Sequence, residues 1–174
     1  MKQSKFAYSP AKAIADAITD IIFEGCHNCI VAGSIRRNAK RVSDIDIVVV
    51  ASNFKAVNIP GYLRLERGGD KYRRYSVPLG DGNDIGVDIW RCPDEKQFGG
   101  FTLFATGTAE YNIMTRQVAR LNGYRLNQAG LWEGNKHLAL SEEGIIRRLG
   151  LPYLTPTERN HWKSNTKYNK KEGK

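Results

Sequence analysis

The stretch "GSIRRNAKRVSDIDIVVV", residues 33–50, constrains this chain more than any other part of it. Its second half alternates two aspartates with isoleucine and then runs into unbroken Ile and Val, which predicts a strand. Side chains along a strand alternate faces, so Asp44 and Asp46 share one face while Ile45, Ile47 and Val49 share the other. Val48 and Val50 carry the aspartate face deeper into the protein, which leaves the two acids at the strand's mouth. Two carboxylates a few ångströms apart repel each other, and partial burial sharpens the conflict. A cation between them resolves it, and hard divalent ions prefer oxygen ligands. A bare D-x-D is equally compatible with two acids facing solvent at a strand edge.

A third acid shifts that balance. Asp88 lies in "VDIW", inside another strand pattern. If the two strands are neighbours, three carboxylates converge as in a two-metal phosphoryl-transfer site. The Gly33-Ser34 step, opening a helical turn after the strand "CIVAG", offers backbone N–H groups to an anion. Arg36 and Arg37 add charge-assisted donors for phosphate oxygens.

The rest of the chain reads as α/β. "SPAKAIADAITDIIFEG" predicts a helix with Ser9 as N-cap, Pro10 at its first position and Gly25 just past its end. Its apolar stripe is Ile14, Ile18 and Ile21 or Ile22. "GYLRLERGGDKYRRYSVPLG" predicts a hairpin turning at Gly68-Gly69, and "DIGVDIW" a further strand. Helices are expected near 94–105 and 109–122, separated by Thr106-Gly107, followed by short strands and a last helix capped by Ser141. Residues 155–174 are polar and lysine-rich, and are expected to fray.

Composition narrows the partner. The 27 Lys and Arg outnumber the 18 Asp and Glu, giving +9, a surplus that suits a polyanion such as nucleic acid. No long apolar run predicts a membrane span, and no apolar stretch follows the first lysines as a signal peptide would require, so an intracellular protein without a membrane partner is expected. Three cysteines are too few for a disulfide scaffold. The Cys26-x-x-Cys29 pair has no second pair to complete a zinc site and is read as structural, and His137 and His161 are read as loop or solvent residues. Trp90 and Trp132 are read as packing. Arg64, Arg67, Lys71, Arg73 and Arg74 crowd one hairpin, with Lys71 and Arg73 on one face and Arg74 on the other.

These residues together resemble the polymerase-beta-type nucleotidyltransferases, and more narrowly the family X DNA polymerases. The resemblance rests on "GSIRR", "DIDIVVV" and "VDIW", then on "LFATGTAEYNIMTRQVARLNGYRLNQAGLW" and "SEEGIIRRLGLPYLTPTERN", and runs from about residue 28 to 160. It implies an α/β (α+β) fold: a nucleotidyltransferase palm of mixed sheet and flanking helices over residues 1–95, a small nascent-base-pair-binding lobe over 96–160, and a basic tail over 161–174. It implies that Asp44, Asp46 and Asp88 bind two Mg²⁺ ions, for which Mn²⁺ can substitute, and that Asp88 draws the proton from the primer 3′-OH. It implies that Gly33, Ser34, Arg37 and Ser43 hold the triphosphate, and that Phe104 and Gly107 lie by the sugar. Asn112 would then read the incoming base and Arg116 the template base, while Lys71, with Arg73 and Arg74, would contact the DNA backbone.

The chain also departs from that pattern. Ala105 replaces a second aromatic, Ala109 replaces an acid, and Gly86 and Trp90 stand where the family often has arginines. About 30 residues precede Gly33, too few for the family's N-terminal lyase and helix-hairpin-helix domains, so the expectation is a reduced form similar to the minimal family X enzymes of some large DNA viruses. The expected activity is template-directed addition of dNTP to a primer-template or gapped DNA by a monomer, in repair. A template-independent nucleotidyltransferase and a catalytically silent nucleic-acid-binding module are the alternatives.

Overall fold

A computed structural model describes residues 5–80 and 82–162. The chain enters as β1 (Phe6–Ala7) and turns at once into α1 (Tyr8–Phe23). It continues through β2 (Asn28–Val31), the single turn α2 (Gly33–Arg36), β3 (Arg41–Val42) and β4 (Asp44–Val50). The hairpin strands β5 (Arg64–Gly68) and β6 (Tyr72–Pro78) lead to β7 (Asp84–Cys92). The main sheet has the order β2-β4-β7-β6-β5, in which β4 and β7 run parallel and every other pair is antiparallel. β1 pairs with β3 outside that sheet.

Both faces of β4 are covered, as its run of Ile and Val requires. Ile45, Ile47 and Val49 join Val87, Ile89 and Tyr75 in a cluster that includes Ala11, Ala15, Ile18 and Ile22 of α1. Val48 and Val50, on the aspartate face, pack with Cys92 against Phe101 of α3 (Glu95–Thr106). The acids therefore stand where one face of the sheet emerges from beneath α3. The start of α1 differs from expectation. Ala7 is the N-cap, and Ser9 lies within the helix and caps nothing, because the helix follows directly on β1. Pro10 still falls in the first turn, where a missing N–H does no harm.

After α3 come α4 (Ala109–Leu121), a three-stranded meander of β8 (Tyr124–Asn127), β9 (Gly130–Glu133) and β10 (Lys136–Leu138), and α5 (Glu142–Arg148). Side-chain caps fix all three helix starts: Asp94 accepts from the Gln97 N–H, Thr108 from Tyr111 and Ser141 from Gly144. The Gly99-Gly100 step lets α3 press onto its neighbours. A Cβ on Gly99 would meet the Leu140 carbonyl at 2.2 Å, and one on Gly100 would meet the Gly130 backbone at 2.3 Å. A second core of Leu103, Tyr111, Met114, Ala119, Leu131, Ile145, Ile146 and Leu149 knits these elements together.

The C-terminal expectation needs correction. Residues 155–162 do not fray: a 3-10 turn over Glu158–Asn160 buries Arg159 completely. An ion pair inside the protein holds it, which polarity alone could not foretell. The basic stretch beyond residue 162 lies outside the described residues.

Candidate active site

The parallel register of β4 and β7 sets Asp46 directly beside Asp88 and Asp44 beside Gly86, so all three acids share one sheet face. Their side chains then diverge. Asp46 is packed onto the Gly33 backbone, where a Cβ would lie 2.0 Å from its Oδ2. Gly33 has φ +60, so both the contact and the backbone require glycine there. Asp88 is turned toward β6, where it accepts from the Tyr72 hydroxyl at 2.9 Å and from Arg74 Nη1 at 3.0 Å to each oxygen. The same Nη1 lies 3.8 Å from Asp44 Oδ2. Among the described residues, no three acid, histidine or cysteine side chains are gathered as a metal site.

The electrostatics are those of buried acids held close to one another. Burial, with the charges of Asp44 and Asp88, pushes the Asp46 carboxyl up to about 8, against the opposing influence of Trp90 and Arg37. Burial also raises Asp88, although Tyr72 and Arg74 pull the other way. The donors are all carboxylate oxygens, the set that suits Mg²⁺, and one cation, the Arg74 guanidinium, already lies between two of them. The residues therefore fit the ion that the sequence implies.

Beside the acids, a cleft of about 570 Å³ is lined by Gly33, Ser34, Arg37, Ser43, Asp44 and Asp46 on the sheet side, and by Phe104, Gly107 and Asn112 on the helical side. The cleft thus brings together every residue expected to hold a nucleotide. The Ser34 Oγ is buried there with no hydrogen-bond partner among the described residues, which is costly unless a ligand oxygen meets it. Arg37 reaches the Thr106 carbonyl and donates through Nε to Asn160 at 3.0 Å, and burial lowers its pKa. Arg36, unlike Arg37, does not line the cleft. Its Nη1 bonds Thr106 Oγ1 at 2.6 Å and its Nη2 bonds Glu142 at 2.7 Å, because the single turn of α2 points it at α5.

On the helical wall, Asn112 donates to the Phe104 carbonyl at 2.8 Å. Arg116 lies over the Phe104 ring at 5.6 Å, and Trp90 meets that ring edge-on at 4.9 Å. Tyr72 lies tilted against Trp90 at 4.5 Å, so a line of aromatic rings runs from the Asp88 partner to Phe104 of α3. Trp90 therefore packs, as expected. Trp132 lies against His137 at 4.7 Å, and His137 also bonds the Ala129 carbonyl at 2.9 Å. Cys26 and Cys29 are free thiols that burial pushes up, Cys29 to about 12, in keeping with a structural role.

The three basic residues expected on the DNA backbone lie apart. Lys71 is exposed at the hairpin tip, Arg73 stacks on Phe54 at 4.4 Å, and Arg74 is held by the acids. Sequence reasoning missed two groups. One is the engagement of Arg74 with Asp88. The other is the buried chain Arg36–Glu142–Arg159, in which Arg159 bonds Glu142 at 2.7 Å and lies over Tyr111 at 4.8 Å. Only "SEEG", an acid pair at a helix start, hinted at the second, and a dipole-favoured surface acid explained it equally well.

The chain is similar in sequence to several known proteins. Residues 101–160 match the family described as DNA polymerase beta thumb. The chain is 29% identical over 133 residues to the DNA polymerase/3'-5' exonuclease PolX of Bacillus subtilis, a match covering 72% of this chain and 23% of that protein. It is 26% identical over 148 residues to the repair DNA polymerase X of African swine fever virus, covering 76% of this chain and 81% of the viral protein. It is also 37% identical over 81 residues to the DNA nucleotidylexotransferase of Eulemur macaco, covering 44% of this chain and 16% of that protein. The chain thus spans under a quarter of the bacterial relative and four fifths of the viral one.

Proposed function

We infer that this chain is a DNA polymerase of family X that adds dNTPs to a primer 3′-OH opposite a template base and fills gaps in repair. The observation that carries this reading is the shared cleft, where Asp44 and Asp46 share one wall with Arg37 and with a Ser34 hydroxyl that has no partner among the described residues, while Phe104 and Asn112 close the other. Asp44, Asp46 and Asp88 would hold Mg²⁺, which in such sites lowers the pKa of an attacking hydroxyl and neutralises charge on a leaving pyrophosphate. Ser34 and Arg37 bind and orient the triphosphate. Asp88 takes the proton of the primer hydroxyl once it is released from Arg74. Phe104 supports the sugar, and Asn112 and Arg116 feel the minor-groove side of the new pair, where correct pairs present similar acceptors. We further read residues 1–95 as the palm and 96–160 as the lobe that carries the nascent pair.

A second reading, template-independent tailing, draws on the likeness to a nucleotidylexotransferase. One experiment separates them: extension of a labelled primer in Mg²⁺, either paired with a gapped template or alone. Incorporation that follows the template base supports the polymerase reading. Extension of the unpaired primer at an equal rate overturns it in favour of tailing, and extension of neither overturns both.

A further inference from the structure

We propose that Arg74 is the resident cation of the acid cluster: its guanidinium lies between Asp88 and Asp44 where a divalent ion would otherwise sit, and it must yield before metal loads. This inference rests on the reading of these acids as metal ligands.

The geometry begins with strand register. Arg74 on β6 is directly across from Asp88 on β7, and Asp44 on β4 is across from Gly86 on the far side of the same strand. The guanidinium extends over Gly86 to reach both acids. Nη1 is 3.0 Å from each Asp88 oxygen and 3.8 Å from Asp44, while Nε is 3.4 Å from Glu66 on β5. Three carboxylates thus surround one guanidinium, which is only 17% exposed. A compact hard cation bound to Asp44 and Asp88 would compete for the same lone pairs.

The chain makes room for this arrangement at one residue. A Cβ on Gly86 would lie 2.3 Å from Arg74 Nη2 and 2.9 Å from Cζ. Gly86 has no positive φ, so its backbone would accept alanine without strain; glycine is needed there only for space. An arginine on β7 itself at this position would occupy the same volume. The cation is instead delivered from the neighbouring strand, where it keeps a second anchor in Glu66. That anchor lies on an edge strand whose residues are all exposed, and gives the guanidinium a place to pivot toward when it leaves Asp88.

Two consequences follow. Without metal, Arg74 offsets the repulsion that would otherwise drive Asp44 and Asp88 apart. With metal, part of the ion's binding energy goes into displacing Arg74, so affinity in the absence of DNA is lower than the ligands alone would give.

The test is Mn²⁺ binding to the full chain, without DNA or nucleotide, followed by electron paramagnetic resonance of the free ion. Wild type is compared with Arg74→Ala and Gly86→Ala. Both variants are expected to bind Mn²⁺ at least about fivefold more tightly than wild type, the low end of usual coupling between sites. Gly86→Ala is the sharper case, because it evicts the guanidinium yet keeps the charge, so a general loss of positive potential cannot account for the gain. Thermal unfolding gives a second readout: Mn²⁺ should raise the Tm of Arg74→Ala by more than that of wild type. If neither variant binds Mn²⁺ more tightly, Arg74 only orients Asp88 and the inference fails. Primer extension by the wild type, run alongside, distinguishes that failure from one of the site reading, since a wild type that neither binds Mn²⁺ nor extends a primer overturns both.

Discussion

Asp88 is gripped from the side by Tyr72 and Arg74, whereas Asp44 and Asp46 line the cleft. Tyr72 can hold that orientation after Arg74 yields, which suits a proton acceptor. Asp88→Ala is therefore expected to abolish primer extension, by about 4 kcal/mol of transition-state stabilisation or roughly a thousandfold, on the scale of losing a preorganised charge-stabilising group. The fold should survive, which circular dichroism and unchanged DNA retention would report; near-normal extension would remove Asp88 from the chemistry. At this scale the acids were legible in the sequence, because period-two alternation assigns faces without further information. The destination of Arg74 was not. Alternation placed it opposite Arg73, but which acid it meets depends on the β6–β7 register. That register is fixed by a turn whose geometry no residue pattern declares, and β5 adds a bulge between Leu65 and Arg67. Gly33 carries a second constraint that the turn pattern did not declare: it lines the cleft, and a Cβ on it would run into the Asp46 carboxylate.

Among the elements, α4 bears most directly on specificity. Its spacing predicts one face with Asn112 and Arg116, and an opposite face of Met114, Val118 and Leu121 turned to the core. The buried residues are Tyr111, Met114, Thr115 and Ala119, whereas Leu121 is 56% exposed. Leu121, the last residue of the helix, stands outside that stripe just before the chain turns into β8. Asn112 and Arg116 do share a side, and both are seated on Phe104. To reach a nascent base pair, Arg116 must leave that ring, an exchange of a cation–π contact of about 0.5–1 kcal/mol for hydrogen bonds to the minor groove. Arg116→Ala should then reduce single-turnover insertion opposite every template base, and reduce correct insertions more than mispairs. Equal fractional losses for both would leave Arg116 a general DNA contact. The start of α5 was readable from Ser141, a capping residue placed just ahead of an apolar run. The start of α1 was not, since Ser9 is an equally good cap in sequence and was overruled by the pairing of β1 with β3.

Across the whole molecule, the turn that forms the cleft floor is tied to the far lobe by charge. Arg36 of α2 and Arg159 of the closing turn both bond Glu142 at the head of α5, and Arg37 and Asn160 cross-link the same two regions. Sequence separation hides such a network: Arg36 and Glu142 lie 106 residues apart, and each looks like an ordinary surface charge. Burial pushes the Glu142 carboxyl up, but the Arg36 hydrogen bond and the charges of Arg159 and Arg36 outweigh it, and the net shift is downward. Because the folded value lies below the ordinary 4.5, Glu142 binds its proton more weakly in the folded chain than in the unfolded one. Its stabilising contribution is thus fully present above pH 4.5 and is lost as pH falls through the lower folded value. Glu142→Gln leaves Arg159 buried without a counter-charge, and breaking such a pair costs about 3 kcal/mol or more. Urea unfolding of both proteins from pH 7 down to pH 3 should show that gap at neutral pH and a steady narrowing below about pH 4.5, as the wild type protonates Glu142 and loses the same interaction. A gap that stays constant to pH 3 would mean that packing, not charge, joins the cleft floor to α5. The expected narrowing would identify the ion network as the element that holds Ser34 and Arg37 in register with Phe104 and Asn112 across the cleft.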